Sequence, residues 1–347
     1  MKSPLIAALM VLLAAAPAFA QSNADVMAST ATAAEANAGP LHTVTFITPD
    51  LPGLRALYEA GMGLTVDGPF DIGAEERATQ RALWGMPADI GYEVYLMHRP
   101  AVADTVQMRV LVTDLATPPM RDSWNRQQLG PYGMGFPTLD VDAWDEHLLG
   151  LGFERAVPEV EEFQVTAPNG DVYPVREAPF FGPEYLRIIA IGRGGGRPQV
   201  GVFDDATGRG GPVYATQIVE DADAMIAFFT TVLDMELRSD RTWDEYEIPF
   251  RFALIHSKGS QTGHTPLVEY ARDHNIPGLA PPRPPNRGMA MWTYQVKDLD
   301  AILARAEAAS YPVHSGPVRY DDTVLGSVRS ATFLAPNGFM VEVFEPG

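Results

Sequence analysis

Cysteine is absent from the 347-residue chain, which removes disulfides, thiolate zinc sites, iron–sulfur clusters and thiol nucleophiles together. Basic side chains are scarce as well. Against 25 Lys and Arg stand 44 Asp and Glu, and the net charge of -19 repels phosphate backbones and anionic lipid surfaces. Nucleic acid is therefore not an expected partner. Long hydrophobic runs are lacking beyond the first 20 residues, where Lys2 precedes an apolar stretch over 5–15 and Ala18-Phe19-Ala20 forms a small-x-small box. That run is shorter than the roughly 20 residues of a membrane span and reads as a cleaved secretory signal. Export to the periplasm or the medium is the expectation, with no membrane span after cleavage. Residues 21–40, rich in Ala and Ser and without an apolar period, read as a flexible leader.

What is present is globular. A 46% hydrophobic content supports a packed core, and the length suffices for two domains. Self-comparison then constrains the architecture. Residues 41–50 alternate like a strand and lead into a helical pattern with Leu54, Leu57 and Tyr58; the same order returns at 213–221 followed by 222–233, with Asp50 and Asp221 offset by 171. A second kind of strand-then-helix unit begins at 132–140 and again at 289–298, with Asp140 and Asp298 offset by 158. The segments opening Ala167-Pro-Asn-Gly and Ala335-Pro-Asn-Gly match as turns feeding a final strand. Further strand-like runs lie at 80–84, 91–98, 163–167, 250–256 and 328–334. Four units of one strand, one helix and about three strands thus fill 41–345. The Gly-rich stretch 192–211 divides them into pairs, giving an α+β protein with domains at 41–191 and 212–347.

These repeated units, the opening Leu-His-Thr-Val-Thr-Phe-Ile-Thr-Pro-Asp-Leu and the closing Pro-Asn-Gly turns resemble the vicinal oxygen chelate superfamily, which includes glyoxalase I, extradiol dioxygenases and bleomycin-resistance proteins. The resemblance spans nearly all of the chain after residue 40. It implies that two βαβββ units pair so that their curved sheets form a cup, with helices outside and a ligand inside. It also implies where a divalent metal would be held. The first-strand ligand position, seven residues before the Asp that ends the strand, falls at Thr43, Gly133, Tyr214 and Met291. The last-strand position, six residues after the Pro of Pro-x-Gly, falls at Pro174 and Glu342, and a fourth-strand position at Tyr95 and Ala253. Only Glu342 is a competent ligand, and one carboxylate does not hold an ion that needs three or four donors. No cofactor is the expectation, with a divalent metal as the alternative, which a one-residue shift bringing His42 into the ligand position would favour.

By strand alternation the second cup should present Tyr214, Thr216, Arg251, Met291, Thr293 and Glu342, and the first cup Thr43, Thr45, Glu93, Tyr95, Met97, Gly133 and Tyr173. Glu342 is the candidate general base and Arg251 the candidate clamp for a substrate carboxylate or enolate; the alternative is that they form a structural ion pair with each other. The expected function is binding of a small organic molecule without metal, with a lyase, isomerase or dioxygenase of the glyoxalase type as the alternative. Four units make an internal pseudo-dimer, so a monomer is preferred over a homodimer. Gly192-Arg-Gly-Gly-Gly-Arg197 follows a strand-like run but leads into Pro198 rather than a helix, and is a linker, not a dinucleotide loop. His256, His264 and His274 have no metal-site spacing.

Overall fold

The computed structural model describes residues 36–347 apart from 103–104, 167–171, 196–198, 200, 245 and 261. The expected signal segment, most of the leader and the first Pro-Asn-Gly turn lie outside the described residues. Unit one comprises β1 (Ala38–Thr48), α1 (Leu51–Arg55, continued as a wider turn over Ala56–Gly61), β2 (Thr65–Phe70), α2 (Ala74–Leu83), β3 (Glu93–His98) and β4 (Gln107–Val112). Unit two comprises β5 (Gly130–Pro137), α3 (Val141–Gly150), β6 (Glu161–Thr166), β7 (Val172–Phe181) and β8 (Arg187–Arg193). A two-stranded connection, β9 (Phe203–Asp204) with β10 (Arg209–Gly210), leads to unit three: β11 (Tyr214–Val219), α4 (Ala222–Val232), β12 (Glu236–Trp243), β13 (Phe250–His256) and β14 (Thr265–Tyr270). Unit four comprises β15 (Gly288–Val296), α5 (Leu299–Ala308), β16 (Val313–Asp322), β17 (Gly326–Leu334) and β18 (Met340–Pro346).

The repeated aspartates have one physical job. Asp50, Asp140, Asp221 and Asp298 each end a strand and cap the next helix, accepting from the backbone N–H of Gly53, Ala143, Ala224 and Ala301 at 2.8–3.0 Å. Each cap satisfies a helix N–H that would otherwise lack a partner, which is why the landmark recurs at the start of every unit.

The strands do not follow the expected pairing. One eight-stranded sheet runs β16-β17-β18-β15-β1-β4-β3-β2, and the other β12-β13-β14-β11-β5-β8-β7-β6. Unit one therefore shares a sheet with unit four, through antiparallel β1 and β15, and unit two with unit three, through β5 and β11. The sheets do not divide at 192–211: each joins a unit from before that stretch to one from after it. Consecutive units instead meet through helices: Trp144 of α3 donates its indole N–H to Gly61 O at 3.0 Å, and Phe228 of α4 stands edge-on to Tyr311 after α5. The helix-bearing faces of both sheets share one core, in which Val44, Phe46, Tyr58, Phe136, Trp144, Phe229 and Trp292 are fully buried.

Three local readings are corrected. Residues 80–84 belong to the end of α2 rather than a strand, because Leu83 and Gln80 turn one face of a helix inward. The Ala167-Pro-Asn-Gly segment precedes β7, the penultimate strand of its unit, whereas the Pro336-Asn-Gly turn precedes the last strand β18, so Pro174 is not the counterpart of Glu342. The strand parity at β3 and β13 is the reverse of that expected. Tyr95 and Met97 join the helix-side core while Val94 faces the cup, and Phe250, Phe252 and Leu254 face the cup while Arg251 faces the helices.

Candidate functional site

The unit one and four sheet places Thr43 opposite Thr293 and Thr45 opposite Met291, on the concave face as expected. Thr293 stands beside Glu342, and Thr45 beside Arg109. Those two pairs are equivalent, since Thr293 lies five residues before Asp298 and Thr45 five before Asp50. Arg109 thus occupies in unit one the last-strand position that Glu342 occupies in unit four. In the other cup the same register gives Ile189, opposite Gly135, and Pro266, just before the Leu267 that pairs with Gln217.

Arg109 and Glu342 are both fully buried, with Arg109 Nη1 3.3 Å from Glu342 Oε2. Every other contact to Glu342 is also a donor: Thr293 Oγ1 at 2.9 Å to Oε2, and Ser330 Oγ at 3.1 Å and Trp84 Nε1 at 3.2 Å to Oε1. Of these partners Arg109 and Trp84 can only donate, whereas the single proton of Ser330 is shared between Glu342 Oε1 and Val343 O at 3.2 Å. The Arg109 guanidinium also lies over the Trp84 ring at 5.0 Å and 3.7 Å from buried Asp322. Burial works against the Asp322 charge, but Arg109, the N–H groups of Val324 and Leu325 and the Tyr320 hydroxyl outweigh it and hold the carboxyl below its usual range. Burial likewise disfavours the Arg109 charge, and Asp322 and Glu342 outweigh it, so its pKa is raised. Gln80 donates to Asp322 at 3.1 Å and accepts from Tyr92 at 2.9 Å. These contacts, with Trp84 and Leu83, fasten α2 and the loop after it across the cup, so unit one carries its own plug.

A cavity of about 200 Å³ opens at the rim of this cup, lined by His42, Thr105, Gln107, Gln295 and Lys297 among others. Its position follows from a β-bulge between Leu41 and Thr43, which turns His42 toward the same interior as Thr43. The His42 ring lies edge-on to Phe344 at 5.2 Å, and its Nδ1 is 2.7 Å from Thr43 Oγ1. Burial, helped by the Arg109 charge, depresses His42 to about 4, so the imidazole is neutral at pH 7. Gln107 and Arg109 alternate inward along β4, which puts the rim cavity one step above the buried charges.

The other cup is lined by Tyr132, Tyr173, Tyr214, Phe250, Phe252 and Tyr270. A β-carbon at Gly135 would overlap the Tyr214 ring, so this glycine makes room for aromatic filling, whereas one at Gly133 would press on the Arg187 carbonyl beside a β-bulge. Glu177 is buried there and pushed well above the usual carboxylate range by desolvation and by Glu161, which is itself raised to about 8. Glu177 Oε1, Tyr214 OH and Thr216 Oγ1 have no hydrogen-bond partner. The folded chain therefore holds protons that the unfolded chain releases above about 4.5, and stability falls as pH rises from there toward about 8, where Glu161 ionises. Glu177→Gln is expected to gain on the parent across that window by up to about 1.4 kcal/mol per pH unit. Thermal melts of both proteins at pH 5 and pH 8 check this; parallel pH dependence would contradict it.

Of the sequence-derived candidates, Thr43, Thr45, Met291, Thr293 and Glu342 come together in one cup, and Gly133, Tyr173, Tyr214 and Thr216 in the other. Arg251 and Glu342 lie in different sheets, so they neither share a site nor pair. Arg251 binds Asp240 and Asp223 at 2.7 Å on the helix side. Glu93, Tyr95 and Met97 also leave the cup; Tyr95 OH donates to Glu93 at 2.8 Å. Sequence reasoning missed Arg109, Asp322 and Trp84. The available signal was a lone charge in the apolar run Gln-Met-Arg-Val-Leu-Val.

The four family ligand positions of this cup are Thr43, Arg109, Met291 and Glu342. A divalent ion does not fit them. It would meet a fixed guanidinium at a repulsion of about 8 kcal/mol at 4 Å in an effective dielectric of 20, and the Glu342 oxygens already accept hydrogen bonds from Trp84 and Arg109. Among the described residues no three His, Asp or Glu side chains converge.

The comparisons agree with the fold. Residues 211–343 match the sequence model of the Glyoxalase/Bleomycin resistance protein/Dioxygenase superfamily. Glyoxalase I from Zea mays is similar over 88% of this chain and 92% of that chain, with 12% identity and a TM-score of 0.56. A putative dioxygenase from Bacillus subtilis is similar over 89% and 86%, with 13% identity and a TM-score of 0.51. At these identities the likeness speaks to fold. No curated protein matches in sequence.

Proposed function

We propose that this is a protein of the glyoxalase, bleomycin resistance and dioxygenase superfamily with a metal-independent role: binding of a small organic molecule at the mouth of the cup shared by units one and four. The observation that carries the reading is Arg109 at the position equivalent to Glu342. A guanidinium supplies the positive charge that a superfamily metal would supply, and it neutralises Glu342 without an ion. The rim cavity then offers a polar and apolar lining within one strand step of that charge, the usual makeup of a small-molecule pocket.

Glu342 is a poor general base in this setting. It is fully buried, and each oxygen already accepts from a nitrogen donor, Trp84 Nε1 on one and Arg109 Nη1 on the other. A base must reach the proton it removes, so binding is favoured over proton abstraction. Export belongs to the same proposal and rests on the residue 1–20 pattern; no helix among the described residues is long and apolar enough to cross a membrane. The pairing of units one and four within one chain supports a monomer.

The test is a fragment screen by ¹H–¹⁵N NMR on chelator-treated protein, repeated on Gln107→Trp, which fills the rim. Shifts confined to residues around His42 and Gln107, and lost in the variant, are expected. Binding that appears only on adding metal would overturn the reading.

A further inference from the structure

We infer that the molecule taken at this rim is a small monocarboxylate whose charge is met by Lys297, an inference that rests on the binding role just proposed. Lys297 is the one charged residue among the described residues that line the cavity, and no described carboxylate pairs with its ammonium group. The lining is therefore positive in a chain whose net charge is -19. Thr293, Gln295 and Lys297 alternate along β15 and its continuation, so all three follow the concave face. The backbone that carries Lys297 is pinned: Asn37 O accepts from its N–H at 2.9 Å, and the Asn37 side chain bonds the N–H and the carbonyl of Asp298 at 2.9 and 3.2 Å. The Asp298 carboxylate is engaged in the α5 cap, accepting from Ala301 N–H at 2.9 Å.

Neutral donors complete the lining. The side-chain amides of Gln107 and Gln295 make no hydrogen bond to any described residue, and the His42 ring engages Nδ1 with Thr43 Oγ1 and leaves Nε2 unbonded. With the Thr43 hydroxyl donating to Nδ1, Nε2–H is a donor, as are both amides. Charge then selects the ligand. An organic cation would face Lys297 and find no carboxylate among the described lining residues. A phosphate monoester would bring close to two negative charges to one ammonium. A neutral molecule would leave Lys297 to water. A carboxylate matches the ammonium with a single charge and offers its two oxygens to the amide and imidazole donors. From the inner side, the charge that acts on the His42 ring is that of Arg109, which is positive as well; Arg109 does not line the cavity and acts there through its field alone. The cavity of about 200 Å³ holds the equivalent of about seven waters at about 30 Å³ each, which sets the scale at a ring with one small substituent.

The probes are benzoate, benzamide and benzylamine, close in shape and differing in charge. Each is titrated into the intact protein at pH 7 in about 10 mM salt, where charges near solvent are little screened. The NMR resonances of the His42 imidazole and of the Gln107 and Gln295 side-chain amides are the reporters. Benzoate is expected to shift them and to bind at least about tenfold more tightly than either analogue, a difference of about 1.4 kcal/mol. Lys297→Met, a change at an exposed side chain, removes that preference, and Gln107→Trp abolishes the shifts. Benzamide or benzylamine binding as tightly as benzoate, or a preference for benzoate that survives Lys297→Met, would overturn the charge assignment and leave the rim as a binding site. Failure of all three probes to move any reporter would overturn both this inference and the binding role beneath it.

Discussion

Arg109→Met destabilises the protein by about 3–5 kcal/mol, because Glu342 and Asp322 stay buried with no cation between them. The loss is not simply a missing contact. Isolated carboxylates in a dry site either carry an unpaired charge or take up a proton, and both cost stability. The same logic predicts rescue. In Arg109→Met with Glu342→Gln and Asp322→Asn, the neutral amides keep several of the hydrogen bonds from Thr293, Ser330 and Gln80, and most of the lost stability returns. Denaturant unfolding of the single and triple variants measures the difference. Equal destabilisation of the two would show that Arg109 acts through packing on Trp84 instead of through charge.

The second large effect is a gain. Thr43, Arg109, Met291 and Glu342 sit at the positions where the family resemblance would place the ligands of a divalent ion, and Thr43 faces Thr293 across the same ladder that joins Thr45 to Met291. Thr43→His, Arg109→Glu and Met291→His together supply three new donors beside Glu342. The variant is expected to bind about one Zn²⁺ or Ni²⁺ per chain and to melt at higher temperature with metal than without, as a ligand that binds only the folded state requires. Restoring Arg109 in that background returns the guanidinium charge and abolishes binding. Persistence of tight binding with Arg109 present would contradict the electrostatic argument.

The repeat was legible because its landmarks are local. Helix caps at Asp50, Asp140, Asp221 and Asp298 and the alternation that sends Val44 and Phe46 to the core and Thr43 and Thr45 to the cup are written in short windows. Which unit joins which is not local: nothing near residue 45 or residue 292 shows that Val44 will pair with Trp292. Parity failed at Arg251 and Tyr95 because β3 and β13 carry apolar residues on both faces, so alternation alone does not say which face is inward; Phe250, Phe252 and Leu254 turn to the cup while Ala253 and Ile255 turn to the helices. Glu342 was found from the turn before it, but its partner was not. Arg109 lies 233 residues away in sequence, and Asp322 ends a strand whose exposed, charged composition hides an inward tip.

Elemental analysis of the natural protein, purified without chelator, tests the guanidinium-for-metal account most directly. The account predicts far less than one Ni, Zn, Fe or Mn per chain and a melting temperature unmoved by adding any of them. About one tightly held ion per chain, lost on Glu342→Gln, would contradict it.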